Sequence, residues 1–299
     1  MASDTAKLAG RRSGFAAACE WTPVQLLLLF IALVVIDVAC QVGADYLVRY
    51  TPPGWLREAV RIGGAIALAA IMVAAYRWLV RRVERRVPDE LEKTSVFVPL
   101  VTGTAAGAAL FVAVYVVLWW KGAIPYVMRG GLSGLTAALA IAIASSVGEE
   151  IVIRGALFRL LEKALGTAVA LLLSGLIFGL MHARNTGATW VSTLAVVLES
   201  GILLGLVYAL TRNLWVPIGL HFGWNFTEGG VFGASVSGGA NTGLLIAPLQ
   251  GSPLITGGTF GPEASVATMA VTLLASAVLV VMVRAEGQWR RLRLRLRLP

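Results

Sequence analysis

"GEEIVIRGALF", residues 148–158, places two glutamates and an arginine inside one of the most apolar parts of the chain. The apolar residues around it require a helix at membrane depth, because unpaired backbone groups are very costly in lipid. An ionised side chain at the bilayer centre costs roughly 2.5–3.5 kcal/mol on insertion scales. The segment therefore predicts a membrane helix that keeps its charges for a functional reason.

The composition extends this prediction to the whole chain. Of its 299 residues, 58% are hydrophobic and 14% are charged, and the mean hydropathy is +0.80. Apolar runs of about 20 residues between short polar breaks are typical of a polytopic helical membrane protein. We predict an all-α transmembrane bundle of about eight spanning helices, near residues 24–42, 60–79, 96–118, 133–158, 166–183, 191–210, 214–230 and 264–283.

The distribution of basic residues predicts the orientation in the membrane. A net charge of +9 would suggest nucleic acid as a partner in a soluble protein, but 19 of the 25 basic residues fall on one side of the predicted spans. The positive-inside rule then places both termini in the cytoplasm. Arginine outnumbers lysine by 21 to 4, which is typical of a GC-rich prokaryote. We expect a multi-pass protein of the bacterial inner membrane, with no nucleic-acid partner.

Three regions follow from this pattern. Residues 1–22 form a basic cytoplasmic tail, residues 23–283 a single transmembrane domain, and residues 284–299 a basic cytoplasmic tail. The end of the chain, "RRLRLRLRLP" (290–299), should lie against anionic lipid headgroups.

Glycine patterns lead to two further expectations. "GTAAG" (103–107) and "GILLG" (201–205) have the small-residue spacing that lets helices approach closely. The segment 229–263 contains ten glycines and no charge before Glu263, so it should be mobile or lean on the membrane surface. Because this segment follows the seventh span directly, we also expect it to border the entrance to a functional cavity.

The charged residues of the opening stretch have different surroundings. On a helix, Glu150 and Arg154 lie one turn apart on the same face, at the spacing that forms ion pairs. Glu149 points elsewhere and has no local counter-charge. An intramembrane ionisable residue is a functional candidate by default, so Glu149 is a candidate general base.

Both histidines of the chain also lie in apolar segments. His221 shares a helix face with Asn225, one turn later. The fourth and fifth spans should form a hairpin near Leu165, with Glu149 16 residues before it and His182 17 residues after it. At 1.5 Å per residue, both lie roughly 24–26 Å from the turn, at matching depth. One carboxylate, two imidazoles and an amide from three helices are therefore predicted to converge.

These residues resemble a known pattern. The CAAX prenyl protease and bacteriocin-processing (CPBP, or Abi) family of intramembrane endopeptidases has three motifs on successive membrane helices. The residues here that match them in order are Glu149-Glu150-x-x-x-Arg154, Phe178-x-x-x-His182 and His221-x-x-x-Asn225. The resemblance covers about residues 133–228, which would be the catalytic core of the transmembrane domain.

The resemblance implies cleavage of a peptide bond in a membrane-associated peptide or protein. By analogy, Glu149 with His182 would activate water, and His221 with Asn225 would hold the oxyanion. The site-shaping residues would be Glu150, Arg154 and Phe178. A CAAX protease requires a prenylated C-terminal tail, whereas a bacterial enzyme could instead process a pheromone-like or bacteriocin-like precursor.

The same resemblance leaves a divalent metal open. Members of the family are often labelled metalloproteases, and Glu149, His182 and His221 would also serve as a ligand set with one open zinc position. The sequence has no HExxH helix, and the amide of Asn225 suits an oxyanion better than a metal. These two features favour glutamate chemistry without a metal.

Other functions fit parts of the sequence. A transporter or proton relay could use the buried Glu and His residues together with Asp37 and Glu199, although no inverted repeat is visible. An immunity factor or scaffold would keep the fold without the chemistry, although every motif residue is present. A rhomboid-type serine protease would need Ser133, which lies about 24 Å of helix from Glu149.

Overall fold

Eight helices, α1 to α8, form the part of the protein that the computed structural model describes, residues 22–92, 96–132, 134–240 and 242–292. Their bounds are α1 Thr22–Tyr50, α2 Trp55–Glu84, α3 Phe97–Trp120, α4 Leu135–Leu165, α5 Thr167–Met181, α6 Trp190–Thr211, α7 Trp215–Asn225 and α8 Val266–Ala285. The predicted all-α membrane bundle is confirmed. Residues 1–21 of the predicted N-terminal tail, Ser133 and residues 293–299 lie outside the described residues.

Six of these helices, α1 to α4, α6 and α8, are long and apolar enough to cross a membrane. Helix α5 is a shorter apolar helix of 15 residues. Helix α7 has 11 residues and continues as a π-helical turn, Phe226–Val231. The predicted count of eight spans thus includes two helices below ordinary spanning length.

Short elements connect the helices. One helical turn, Asp89–Glu92, follows α2, and Pro253–Thr256 and the 3₁₀ turn Pro262–Ala264 precede α8. Strand β1, Met128–Arg129, pairs antiparallel with β2, Leu245–Ile246, so the α3–α4 connection is tied to the glycine-rich segment before α8.

Helix α4 is not a regular α-helix through the opening stretch. Its middle part, Ile151–Phe158, is π-helical, and α6 has a similar segment at Val197–Leu203. The predicted helix across residues 148–158 is therefore present, with a π-helical part that the 3.6-residue period does not indicate. Insertions of this kind occur frequently at functional sites because they redirect side chains from the regular spacing.

Glycines set the position of α7 against α3. A Cβ atom built on Gly103 or Gly107 of α3, or on Gly219 or Gly223 of α7, would lie closer than 3.0 Å to backbone atoms of the other helix. Only glycine permits this approach, as predicted for "GTAAG". Likewise, a Cβ atom on Gly201 of "GILLG" would lie 2.6 Å from the Cα of Gly175 in α5.

The glycine-rich segment before α8 lies on the bundle. Phe232 stacks on Tyr115 of α3 with ring centroids 3.9 Å apart, and Phe260 is fully buried. The Asn185 side chain donates a hydrogen bond of 3.0 Å to the Ser237 carbonyl. The aromatic side chains and backbone of its described residues thus find partners in the bundle, and its mobility and its contact with the membrane surface stay predictions.

At the opposite end, the α4–α5 hairpin turns where the sequence predicts it. Helix α4 ends at Leu165, and Gly166 adopts a positive φ of 85° before α5 begins. The segment after α8 is held there by two hydrogen bonds between Arg290 and Thr167, of 3.0 Å and 2.9 Å. Arg212 forms an ion pair with buried Glu162 at the same turn.

A network of ion pairs fixes the end of α2 to α4. Arg159 pairs with Glu84, and Arg86 lies 2.7 Å from Glu90 Oε1. Tyr76 donates a hydrogen bond to Glu90. Burial raises the pKa of the Glu90 carboxyl, but the hydrogen bonds from Arg86 and the charge of Arg159 outweigh it and hold this pKa below its usual value.

Candidate active site

The Glu150–Arg154 ion pair predicted from the i,i+4 spacing is present, and both side chains are 0% exposed. Arg154 Nη1 donates to Glu150 Oε1 at 2.6 Å, and Nη2 donates to the carbonyls of Ser200 and Gly201 in α6. The guanidinium carbon also lies 5.2 Å from the centroid of the Phe178 ring. These contacts neutralise Glu150 and join α4 to α5 and α6.

His221 on α7 lies between the two glutamates. Its Nδ1 is 3.0 Å from Glu150 Oε1, and its Nε2 is 3.9 Å from Glu149 Oε2. A carboxylate oxygen can only accept, so Nδ1 carries a hydrogen and donates it to Glu150. The second ring nitrogen is thereby directed at Glu149. Glu150 thus fixes both Arg154 and His221, which explains why this acid is buried.

Glu149 is the acid that remains available. Its side chain is 21% exposed, in contrast to the fully buried Glu150. Its Oε2 atom has no hydrogen-bond partner among the described residues. A carboxylate with a free oxygen, partial exposure and a histidine nearby can accept a proton from water, as a general base requires.

Asn225 lies one turn after His221, as the sequence predicts, and α4 holds its amide. Asn225 Nδ2 donates to Ser145 Oγ at 3.1 Å, and this hydroxyl in turn donates to the Ile141 carbonyl at 2.9 Å. Ser145 precedes Glu149 by one helical turn. The amide of Asn225 and the ring of His221 therefore face the same part of α4.

His182 is the C-cap of α5 and reaches the cluster through an aromatic ring. Its Nδ1 lies 3.0 Å from the Phe178 carbonyl oxygen and donates to it, which leaves Nε2 as an acceptor. The His182 and Phe178 rings lie 4.7 Å apart, and the Phe178 ring in turn packs on Arg154. The described contacts of His182 do not include Glu149, and Phe178 connects His182 to Arg154.

A second group of acids near His182 was not predicted as part of the site. Glu199 of α6, Glu228 of the turn after α7 and Glu263 before α8 are all buried. They interact electrostatically with one another, and the Glu263 carboxyl also interacts electrostatically with His182. Burial raises the pKa of the Glu263 carboxyl, and a hydrogen bond with Ser237 offsets part of the rise.

The sequence holds a weak signal for these acids. Glu228 follows Asn225 by three residues, so it lies near the same helix face, and Glu263 is the first charge after a long uncharged segment. Neither feature indicates that they meet.

The arrangement of donor atoms does not form an evident metal centre. In the described part of the chain, no group of three or more His, Cys, Asp or Glu side chains could hold a metal ion. The candidate ligands Glu149, His182 and His221 are therefore not brought together as a three-ligand set in the described structure, although the hydrogen bonds of both Nδ1 atoms leave Nε2 of each histidine free. The same residues are suited to moving a proton between water and carboxylate.

A comparison with protein families gives one match. Residues 131–227 match the model of the Rce1-like family, described as type II CAAX prenyl endopeptidase Rce1-like. The match covers about a third of the chain and contains all three motifs, so the resemblance to the CAAX protease family is confirmed for this segment. Comparisons with curated proteins and with solved structures give no match.

Proposed function

We propose that this chain hydrolyses a peptide bond with water activated by Glu149. Its residues 131–227 match the type II CAAX prenyl endopeptidase (Rce1-like) model. The family supports a CAAX-protease-like intramembrane endopeptidase that acts on a membrane-associated peptide or protein. The observation that carries the finer proposal is the contrast between the two acids. Glu150 is fully buried and paired with Arg154, whereas the side chain of Glu149 is 21% exposed and its Oε2 faces Nε2 of His221.

The reaction uses these groups in order. Glu149 takes a proton from water, and the oxygen of that water forms a bond to the scissile carbonyl carbon. Nε2 of His182, whose Nδ1 hydrogen is held by the Phe178 carbonyl, accepts a hydrogen bond from the same water and orients it. When the C–N bond breaks, the proton held by Glu149 passes to the leaving amine. Proton transfer by a positioned side chain contributes about 10²–10⁴-fold to rate.

The negative oxygen of the tetrahedral intermediate needs donors that are already in place. The amide of Asn225 is anchored on Ser145, and His221 in its protonated form directs an Nε2 hydrogen into the same space. Donors fixed before the reaction stabilise an oxyanion because they need no reorganisation.

The experiment compares the purified wild type with Glu149→Gln and His182→Ala on a panel of membrane-tethered peptides. The panel includes one peptide with a prenylated C-terminal tail and the same peptide without the prenyl group. Cleavage by the wild type that both variants lose supports the proposal. Equal cleavage by the wild type and Glu149→Gln would contradict it.

We propose further that the reaction needs no metal. Addition of a chelator to the same assay then leaves the wild-type rate unchanged. Loss of activity with chelator, restored by zinc, would contradict this part and return Glu149, His182 and His221 to the role of ligands. The role of Glu149 as base is tested separately by its Gln variant.

A proton relay is the second candidate, and the buried acids Glu199, Glu228 and Glu263 are the observation that favours it. Buried carboxylates near a histidine can pass protons along a membrane helix bundle. In that case, Glu199→Gln would abolish a proton flux into liposomes, and no variant would affect peptide cleavage. An immunity factor or scaffold would show neither peptide cleavage nor proton flux.

The proposal also includes the orientation in a bacterial inner membrane, with both termini cytoplasmic and the basic C-terminal tail on anionic headgroups. A reporter enzyme fused after Pro299 and active only in the cytoplasm tests the orientation. Activity of the fusion is expected, and a periplasmic location of the reporter would contradict it.

A further inference from the structure

Polar residues on α1 form a stripe that leads to the candidate active site from outside the segment that matches the family. Asp37, Gln41 and Asp45 are spaced by four residues and therefore share one face of the helix. A stripe of this kind is costly in a lipid-spanning helix unless it faces protein or water. It lies beyond residues 131–227, so the family match does not account for it.

The inner end of the stripe touches α4 beside the candidate base. Asp37 is 8% exposed, and its Oδ2 accepts a hydrogen bond of 2.6 Å from Gln41 Nε2. Its other oxygen has no hydrogen-bond partner among the described residues. A Cβ atom on Gly148 would lie closer than 3.0 Å to that free oxygen. Asp37 therefore packs against the backbone one residue before Glu149, and its charge interacts with that of Glu149.

The outer part of the stripe faces a cavity of about 270 Å³ between α1, α2 and α4. Gln41, Asp45 and Arg61 line it, and five of the other eight lining residues are alanines. A water molecule occupies about 30 Å³ in the liquid and needs polar partners, so a cavity of this size and lining has room for several waters. An alanine-rich wall leaves this space open.

The cavity lies on the same faces of α1 and α4 as Asp37 and Gly148. Ala144 of α4 lines the cavity, and Gly148, which contacts Asp37, follows it by one turn on the same face. On α1, Gln41 lines the cavity and Asp37 lies one turn further from the α1–α2 connection. Both walls therefore continue from the cavity to the residues beside Glu149.

We propose that Asp37, Gln41 and Asp45 line a water passage that supplies the hydrolytic water to Glu149 from the membrane face that holds the α1–α2 turn. The inference rests on the proposed hydrolysis, since only a hydrolase consumes this water. Asp37 and Gln41 are positioning residues, because they hold water next to the base and do not touch the peptide. The passage is separate from the contacts that α5 and α7 make with the site.

Thiol labelling tests the passage without any peptide substrate. Gln41→Cys is made in a chain with Cys19→Ser and Cys40→Ser, and it is treated with a membrane-impermeant cationic thiol reagent in sealed vesicles. The matched control is Val42→Cys, which is exposed like Gln41 and lies at the same depth but not on the cavity wall. Because only a hydrated thiol ionises and reacts, Gln41→Cys should label about tenfold faster or more than the control, from the α1–α2 face alone.

Cleavage kinetics test whether the passage serves the reaction. Asp37→Asn keeps the shape of the side chain and its hydrogen bond with Gln41 but loses the charge, and its kcat should fall about tenfold with KM unchanged. A purely structural role would instead lower the thermal stability and leave kcat per folded enzyme unchanged. Asp45→Asn, at the outer end, should lower kcat less.

Different failures have different meanings. Equal labelling of Gln41→Cys and Val42→Cys would overturn the passage, whatever the kinetics. Selective labelling with an unchanged kcat in Asp37→Asn would overturn its role in supplying water. A wild type that cleaves no peptide would overturn the proposed function, whereas the labelling result would still decide whether the passage holds water.

Discussion

Replacement of Arg154 by methionine removes the guanidinium paired with Glu150 and leaves His221 as the other side chain that contacts this acid in the described structure. The arginine is fully buried, with its Nη1 2.6 Å from Glu150 Oε1, so the substitution removes the guanidinium that neutralises a carboxylate in the bundle interior. Breaking one partner of a buried ion pair costs about 3–5 kcal/mol. The exposed pair Arg61–Glu58, at 3.2 Å with side chains 30% and 37% exposed, is the comparison, and such pairs contribute about 0.2–1 kcal/mol.

The assay is the free energy of unfolding in mixed micelles, measured by titration with a denaturing detergent. We expect Arg154→Met to lose about 3–5 kcal/mol and Arg61→Met to lose less than about 1 kcal/mol. The double variant Glu150→Gln/Arg154→Met should regain part of the loss, because no charge remains unpaired. The glutamine oxygen can still accept the hydrogen bond from His221.

Two results would refute this reasoning. A loss below about 1 kcal/mol for Arg154→Met would mean that water or another cation already compensates Glu150. A double variant that is less stable than either single variant would mean that the arginine stabilises the bundle by packing alone.

Three further predictions concern other parts of the molecule. The pKa of Glu90 is lowered in the folded protein, so its ionised carboxylate stabilises the fold at pH values above 4.5, the ordinary pKa of this group. Glu90→Gln should therefore lower Tm at pH 7, and the Tm difference from the wild type should shrink as the pH falls below 4.5. A Tm difference that does not change with pH would contradict this. Gly148→Ala should lower the cleavage rate about tenfold or more, because the added methyl group displaces Asp37. The control Gly63→Ala, at a position with open space around it, should cleave normally, and equal rates of the two variants would contradict the contact between Gly148 and Asp37. Asn185→Ala removes a hydrogen bond worth about 0.5–1.5 kcal/mol, so limited proteolysis within residues 232–262 should be faster, and an unchanged rate would mean that other contacts hold this segment.

The helical bundle and several local pairs could be predicted from the sequence. Long apolar runs specify membrane helices because the backbone must satisfy its own hydrogen bonds in lipid. The ion pair of Glu150 with Arg154 and the shared face of His221 and Asn225 follow from the 3.6-residue period alone. The hairpin turn at Gly166 follows from the break between two apolar runs.

Contacts between distant segments could not be predicted in this way. Periodicity says which face of α1 carries Asp37, but not that this face meets Gly148 of α4. Nor does it reveal that Glu263 reaches Glu228, since that contact depends on how the glycine-rich segment packs. The π-helical segments Ile151–Phe158 and Val197–Leu203 are also not indicated by the pattern, because the apolar periodicity does not distinguish a π-helical turn from an α-helical one.

The rate of a single turnover by Glu149→Gln tests the central claim most directly, because it isolates bond cleavage from substrate binding and product release. The glutamine keeps the size of the side chain but cannot accept the proton of water. The account predicts that the wild type cleaves a membrane-tethered peptide at least about 10²-fold faster than this variant, with equal binding of the peptide. A Glu149→Gln variant that cleaves at the wild-type rate would contradict it.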